Sequence, residues 1–339
     1  MDDQSLNAAL VRRLHQRAIV SGSMVLPAVP GLLDEYVNMC DRVFMGIGVR
    51  FTHDELAELR EIISGQLAEA FEASPRSDIV ITYDAPTGLQ VNYHVKAQWA
   101  SIDAAYDHWI STREAPYFGT EPDARVWTLA MEAANPATAP ILDVGAGTGR
   151  NALALARRGH PVDAVEMTAG FAEELRVASQ RESLPVRVIE QNVFTPDIAL
   201  RNDYEVMVLS EVASDFRSVD ELRAVCELAA RCLAPGGRLV MNIFLERDAY
   251  VPNDAARQLG QQCYTTLFTR DEVQSAVAGL PLELESDVSV MEFEREHVPD
   301  TAWPPTPWYE RWISGQDVFE IEAQMSPIEM RWLVYRRER

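Results

Sequence analysis

Asp143, the glycines at 145, 147 and 149, and Glu166 are spaced so that they can do chemistry together. The apolar run 141–144 reads as a buried strand that breaks into a turn carrying all three glycines. Glycine is needed in such a turn because the backbone must reverse sharply and approach a ligand more closely than a Cβ allows. A helix beginning near Arg150 follows, closed by Gly159, and a second strand over 162–165 ends at Glu166. This is a βαβ unit with a nucleotide-binding turn, and Asp143 at the strand end can meet a cationic ligand group. A dinucleotide fingerprint places glycine at the first, third and sixth positions, but here the sixth is Arg150 and the third glycine comes early. An acid about 20 residues on, accepting bonds from ribose hydroxyls, fits either ligand class. Glu211 and Asp215, in the run LSEVASDF, are the candidate bases or anchors for a cationic substrate. His160 follows a helix cap at the far edge and has no catalytic place, and the histidines form no metal or triad spacing. Cys40, Cys226, Cys232 and Cys263 lack CxxC spacing, and Cys226 and Cys232, inside one expected helix, are buried thiols.

The elements that must position these residues alternate from 139 onward. Strands are expected at 141–144, 162–165, 186–189, 204–209 and 238–244, with helices at 150–158, 169–181 and 219–233 between them. Thr269 with Glu272 caps a further helix ending at Gly279, and 282–293 and 330–336 read as two strands with no helix between them. Alternation implies a parallel sheet wrapped by helices, and the last pair implies an antiparallel edge. Residues 1–75 read as an N-terminal helical subdomain: an amphipathic helix over 5–20, a turn at Pro27 and Pro30, then two more helices, the last with a Thr52–Glu55 capping box. Residues 76–135 read as a leader or lid: a β-hairpin turning at 86–88, a helix over 101–113, and a helix from Thr120 to about Ala134.

The pattern Asp143-x-Gly145-x-Gly147-x-Gly149 resembles motif I of the class I S-adenosylmethionine-dependent methyltransferases, and Pro235-Gly236-Gly237 resembles the turn before that family's fifth strand. The resemblance covers about residues 136–339 and implies a seven-stranded, doubly wound, mostly parallel α/β sheet with an antiparallel edge. It implies S-adenosylmethionine as cofactor, held by Asp143, Gly145, Ala146, Gly147, Gly149, Asn151, Glu166, Met167, Asn192, Val193 and Ser210. In that family the acid after the second strand holds the ribose, which falls on Glu166, and an acid or amide after the third meets the adenine amino group, which falls on Asn192. Segments before the first strand fold over the cofactor, which puts Tyr117 and Phe118 at the pocket; an aromatic pair wedged between two helices is the other reading. Methyl transfer is an in-line displacement, so a base is needed only when the nucleophile arrives protonated. The aromatic insertion 297–326, with Trp308 and Trp312, and Tyr264 in the 246–268 connection are the expected substrate walls.

Composition narrows the acceptor. With 52 acids against 30 bases the formal charge is −22, a field that repels phosphate backbones, so no nucleic-acid partner is expected. No stretch reaches 18 uncharged apolar residues and the start lacks a signal peptide's apolar core, which points to a cytoplasmic protein without a membrane partner. The reading is a methyltransferase acting on O, N or S of a small molecule without a metal, with homodimerisation through the N-terminal helices. The alternative is a cofactor-binding sensor without catalysis; a protein or metalloid acceptor is less favoured.

Overall fold

The computed structural model describes residues 2–86, 90–99, 112 and 116–338, and the chain divides into two compact units, Met1–Ala105 with Asn253–Gln262, and Tyr106–Pro252 with Cys263–Arg339. The expected helix over 101–113 and the hairpin tip at 87–88 lie outside the described residues.

In the first unit α1 (Asp3–His15) precedes β1 (Val20–Pro27), and α2 (Leu33–Gly46) and α3 (His53–Ala73) lead to the antiparallel β2 (Asp78–Ala85) and β3 (Asn92–Gln98). The sheet order is β1-β2-β3. The first strand corrects the expectation of a helix to residue 20 and a turn. Met24 and Leu26 alternate with exposed Ser23 and Val25, and β1 pairs antiparallel with β2, Met24 opposite Ile81. The hairpin therefore shares a sheet with the N-terminal segment, and residue 75 is not a boundary between units. The core joins Tyr36, Cys40 and Phe44 of α2, Leu59, Ile63 and Leu67 of α3, and Ile79 and Ile81 of β2. The Thr52–Glu55 capping box forms as expected. A helix from much later in the chain, α8 (Asp254–Gln262), completes this unit: the Gly31 amide donates to Gln258 Oε1 at 2.7 Å and Gln262 Nε2 to the Ser77 carbonyl at 3.1 Å.

In the second unit α4 (Ala124–Ala130) precedes β4 (Ile141–Val144), α5 (Arg150–Arg157), β5 (Val162–Glu166), α6 (Ala169–Arg181), β6 (Val186–Glu190), β7 (Tyr204–Leu209), α7 (Val219–Cys232) and β8 (Leu233–Glu246). Then come the two-residue β9 (Leu267–Phe268), α9 (Arg270–Val277), β10 (Leu282–Ser289), α10 (Val290–His297), α11 (Tyr309–Ile313) and β11 (Ile328–Arg337). The sheet runs β10-β11-β8-β7-β4-β5-β6, with β9 beside β8. Its parallel centre spans β8-β7-β4-β5-β6, and β11 and β10 form the antiparallel edge. This is the expected seven-stranded sheet plus a short stub. Strands β4 and β5 are buried along their whole length, as a doubly covered parallel sheet requires. Residues 234–237, expected as a turn before the strand, form a bulge inside β8, since Tyr204 pairs with Leu233 but Val206 with Arg238.

Two helices depart from expectation. Helix α4 is shorter than the expected 120–134 and begins after Asp123. The strand expected to run to residue 293 stops at Ser289, whose hydroxyl accepts from the Glu292 amide at 3.5 Å and starts α10. No helix among the described residues is long and apolar enough to cross a membrane.

Candidate functional site

The carboxyl ends of β4, β5 and β7 converge, with order reversing between β4 and β7, at the position where open α/β sheets bind ligands. After β4 the backbone takes positive φ at Gly145, Gly147 and Gly149, at +67°, +55° and +94°. The three glycines serve different ends. A Cβ on Gly145 would meet Val212 Cγ2 at 2.3 Å and one on Gly149 would meet Leu175 Cδ1 at 2.3 Å, so both are required by the protein's own packing. A Cβ on Gly147 would find only the Phe118 ring, at 3.4 Å, so its bare face is open to a ligand.

The turn is less bare than the sequence suggests. The Gly145 and Ala146 amides donate to the Val165 carbonyl at 2.8 and 3.1 Å, and the Gly147 amide donates to Glu166 Oε2 at 2.8 Å. Glu166 Oε1 accepts from the Thr168 amide at 2.7 Å. The carboxylate is buried; burial pushes its pKa up, opposed by the Thr168 and Gly147 amides. The Thr168 hydroxyl and the Met167 amide also bond it, so a ribose diol would share the carboxylate with these partners. Asp143, the third residue of β4, is buried with Oδ2 lacking a hydrogen-bond partner among the described residues, and burial and then the neighbouring Asp123 push its pKa to about 7. A nucleoside cofactor carrying a positive charge fits this site: an open glycine face, a buried carboxylate beside it, and an orphaned acidic oxygen.

Beside the turn sits a polar cluster in which Glu211, Asn151 and Ser210 were expected at the site, while Asp123, Arg150, Glu294 and Tyr309 were missed from the sequence. Arg150, first residue of α5, is half-buried with its side chain 9% exposed, and donates to Asp123 Oδ1 at 2.6 Å and to Glu211 Oε1 at 2.7 Å. Asp123 Oδ2 also accepts from Asn151 Nδ2 at 2.8 Å and Ser210 Oγ at 2.6 Å, while its amide donates to Asn151 Oδ1 at 2.9 Å. Asn151 and Ser210, expected to hold the cofactor, are thus tied to Asp123. Glu211, two residues after β7, adopts φ +61°, and its amide donates to Asn242 Oδ1 at 2.6 Å. Such backbone strain in a non-glycine residue costs about 1–3 kcal/mol and persists where neighbours enforce it. Desolvation pushes Glu211 to about 7 although Arg150 opposes the rise. Glu294 accepts from the Ala124 amide (2.7 Å), the Arg125 amide (3.1 Å) and Trp332 Nε1 (2.9 Å), and is also pushed to about 7 by burial and then Asp123. Tyr309 is buried, with its phenol pushed well above the usual range by burial and then by the charges of Asp123, Glu211 and Glu294.

The remaining expected residues are dispersed. Phe118 lies over Gly147 and meets Phe171 edge-on at 5.5 Å, while Tyr117 lies 6.0 Å from Phe171. Both are half-buried. Met167 is exposed after β5, and Asn192 Oδ1 after β6 accepts from the Phe194 amide at 2.9 Å, with Val193 half-buried beside it. Asp215 lies half-buried in the turn Ala213–Asp215. Trp312 is buried, its ring 5.5 Å from Phe244 and its Nε1 donating to the Tyr264 carbonyl at 2.8 Å, so it is part of the core. Trp308 is half-buried against Trp312, and Tyr264 takes φ +56°. From the aromatic insertion, Tyr309 is the residue that feels the carboxylates.

Residues 141–237 match a family model described as a methyltransferase domain. Over 131 residues the chain is 28% identical to ribosomal protein L11 methyltransferase of Bordetella parapertussis, and the match spans 39% of this chain and 39% of that relative's length. Among solved structures, geranyl diphosphate C-methyltransferase from Streptomyces coelicolor, crystallised with Mg2+, geranyl diphosphate and S-adenosyl-L-homocysteine, superposes with a TM-score of 0.50 at 17% identity, over 63% of this chain and 78% of that one. A structure of geranyl diphosphate methyltransferase with S-adenosylmethionine gives the same score and identity over 63% of this chain and 85% of that one. The family match begins at β4 and runs into the bulge of β8, across the strands that carry the glycine turn and Glu166, so this segment is similar to a methyltransferase domain and the sheet around it has the fold of the class I S-adenosylmethionine-dependent methyltransferases.

Proposed function

We propose that the protein binds S-adenosylmethionine on the Gly145–Gly149 turn and methylates an O, N or S atom of a small molecule. The observation that carries this reading is the open face of Gly147 beside the buried Glu166 carboxylate at the end of the second strand. Bound there, the cofactor supplies an electrophilic methyl carbon. Glu166 would orient the ribose, Gly147 admits the ligand to contact distance, and Phe118 excludes water from above the turn. Glu211, pushed to about 7 and anchored by Arg150 and Asn242, is the group to take a proton from a hydroxyl, thiol or ammonium acceptor near neutral pH. The excess of acids over bases favours neutral or cationic acceptors. The four free thiols, three of them buried, suit a cytoplasmic setting.

Calorimetry with S-adenosyl-L-homocysteine tests the binding site, and incubation of the protein and labelled S-adenosylmethionine with fractionated metabolite pools tests transfer. Saturable one-to-one binding with label appearing in a small molecule supports the reading. No binding overturns the site, and binding without transfer to any pool favours the sensor.

A further inference from the structure

Helix α1 carries an apolar stripe that nothing among the described residues covers. Leu6, Leu10 and Leu14 recur every fourth residue with Val11 beside them, and they are 48%, 69%, 65% and 44% exposed. No residue of α1 is buried. Asp3 opens α1 and Arg17 lies in the turn just past its last residue, each seven residues from Leu10, so the stripe is flanked by an acid at one end and a base at the other.

We propose that α1 is the contact helix of a homodimer, pairing antiparallel with the α1 of a second copy and with Leu10 on the two-fold axis. In that register Leu6 of each copy faces Leu14 of the other, and Asp3 faces Arg17, twice per dimer. A parallel arrangement would oppose Asp3 to Asp3 and Arg17 to Arg17, so charge selects the antiparallel one. Long-range electrostatics favours the same segment. The whole chain carries −22, which repels a second copy over most of its surface, whereas residues 2–17 hold Arg12, Arg13 and Arg17 against Asp2 and Asp3. The segment carries a formal charge of only +1, so two copies meet there with far less repulsion than elsewhere. The helix is about 20 Å long, and a single helix pair of that length falls short of the roughly 1,200 Å² typical of stable interfaces. The dimer is therefore a weak one, in exchange with monomer.

Sedimentation equilibrium of the full chain from about 1 to about 100 µM tests the proposal. The average mass is expected to rise with concentration, and Leu10→Glu to raise the dissociation constant about tenfold or more. Far-UV circular dichroism and the unfolding temperature of Leu10→Glu should stay unchanged, because α1 buries nothing in the monomer. Arg17→Asp alone and Asp3→Arg alone should each weaken the dimer, and the double exchange should restore it. A monomer mass throughout the range overturns the proposal. So does a dimer indifferent to Leu10→Glu, or a double exchange no better than either single one.

Discussion

Replacing Arg150 with methionine removes the cation that two carboxylates share, the buried Asp123 at 2.6 Å and the mostly buried Glu211 at 2.7 Å. Methionine fills similar space, so the cost is electrostatic. Breaking a buried ion pair by deleting one partner costs about 3–5 kcal/mol. Asp123 keeps Asn151 Nδ2 and Ser210 Oγ, so the larger uncompensated charge is on Glu211. Glu211 can escape by taking a proton. It already sits at about 7, so near pH 8 escape works against the solvent, and near pH 6 the group is largely neutral before the substitution is made. Each pH unit of forced protonation is worth about 1.4 kcal/mol, so the variant should lose about 3–5 kcal/mol near pH 8 and about 1–2 kcal/mol less than that near pH 6. The assay is guanidinium unfolding at both pH values, following the transition of the second unit through Trp127, Trp312 and Trp332, which all belong to it. A loss below about 1 kcal/mol near pH 8, or an equal loss at both pH values, would refute the assignment of Arg150 as the cluster's charge balance.

Three further outcomes follow from the same geometry. Gly147→Val should fold, at a cost of about 1–2 kcal/mol for its positive φ, and lose calorimetric binding of S-adenosyl-L-homocysteine, whereas Gly145→Ala should mainly destabilise because its Cβ collides with Val212 at 2.3 Å. Unchanged affinity in Gly147→Val would move the site. Glu166→Ala should weaken binding and also cost about 2–5 kcal/mol of stability, because it leaves the Gly147 and Thr168 amides without their acceptor; a fully stable variant would contradict the observed bonds. Asp143, Glu211 and Glu294 are all pushed to about 7, so between about pH 4 and 7 the folded chain holds protons the unfolded chain has released. Stability should accordingly fall as pH rises through 7, and a melting temperature higher near pH 7.5 than near pH 5 would contradict this.

The β4–α5–β5 unit was legible because its signals are local. An apolar run, three glycines and an acid after the next strand lie within 26 residues of one another, and the first strand falls at 141–144 as read. The capping boxes at Thr52 and Thr269 were legible for the same reason. The cluster around Arg150 was not. Its members are joined by bonds spanning 27 and 61 residues, and an arginine or aspartate in sequence looks like surface until its partner is known. Strand β1 was hidden because Met24 and Leu26 have inward alternation too brief to outweigh a helical pattern before them and two prolines after. Helix α10 was hidden because Val288 and Val290 continue the apolar–polar alternation of β10, and the single Ser289 cap is a weaker sign than the alternation it falls within.

Helix α8 has a consequence for how the chain is made. It belongs to the first unit, where Gln258 and Gln262 accept from and donate to Gly31 and Ser77, yet it is encoded after β8 of the second. During synthesis the first unit waits for residue 262 to leave the ribosome, by which time β4, β5, β6, β7 and β8 have emerged. A fragment ending at residue 105 would lack one of its helices, and a fragment starting at 106 would carry that helix with nothing of its own unit to meet.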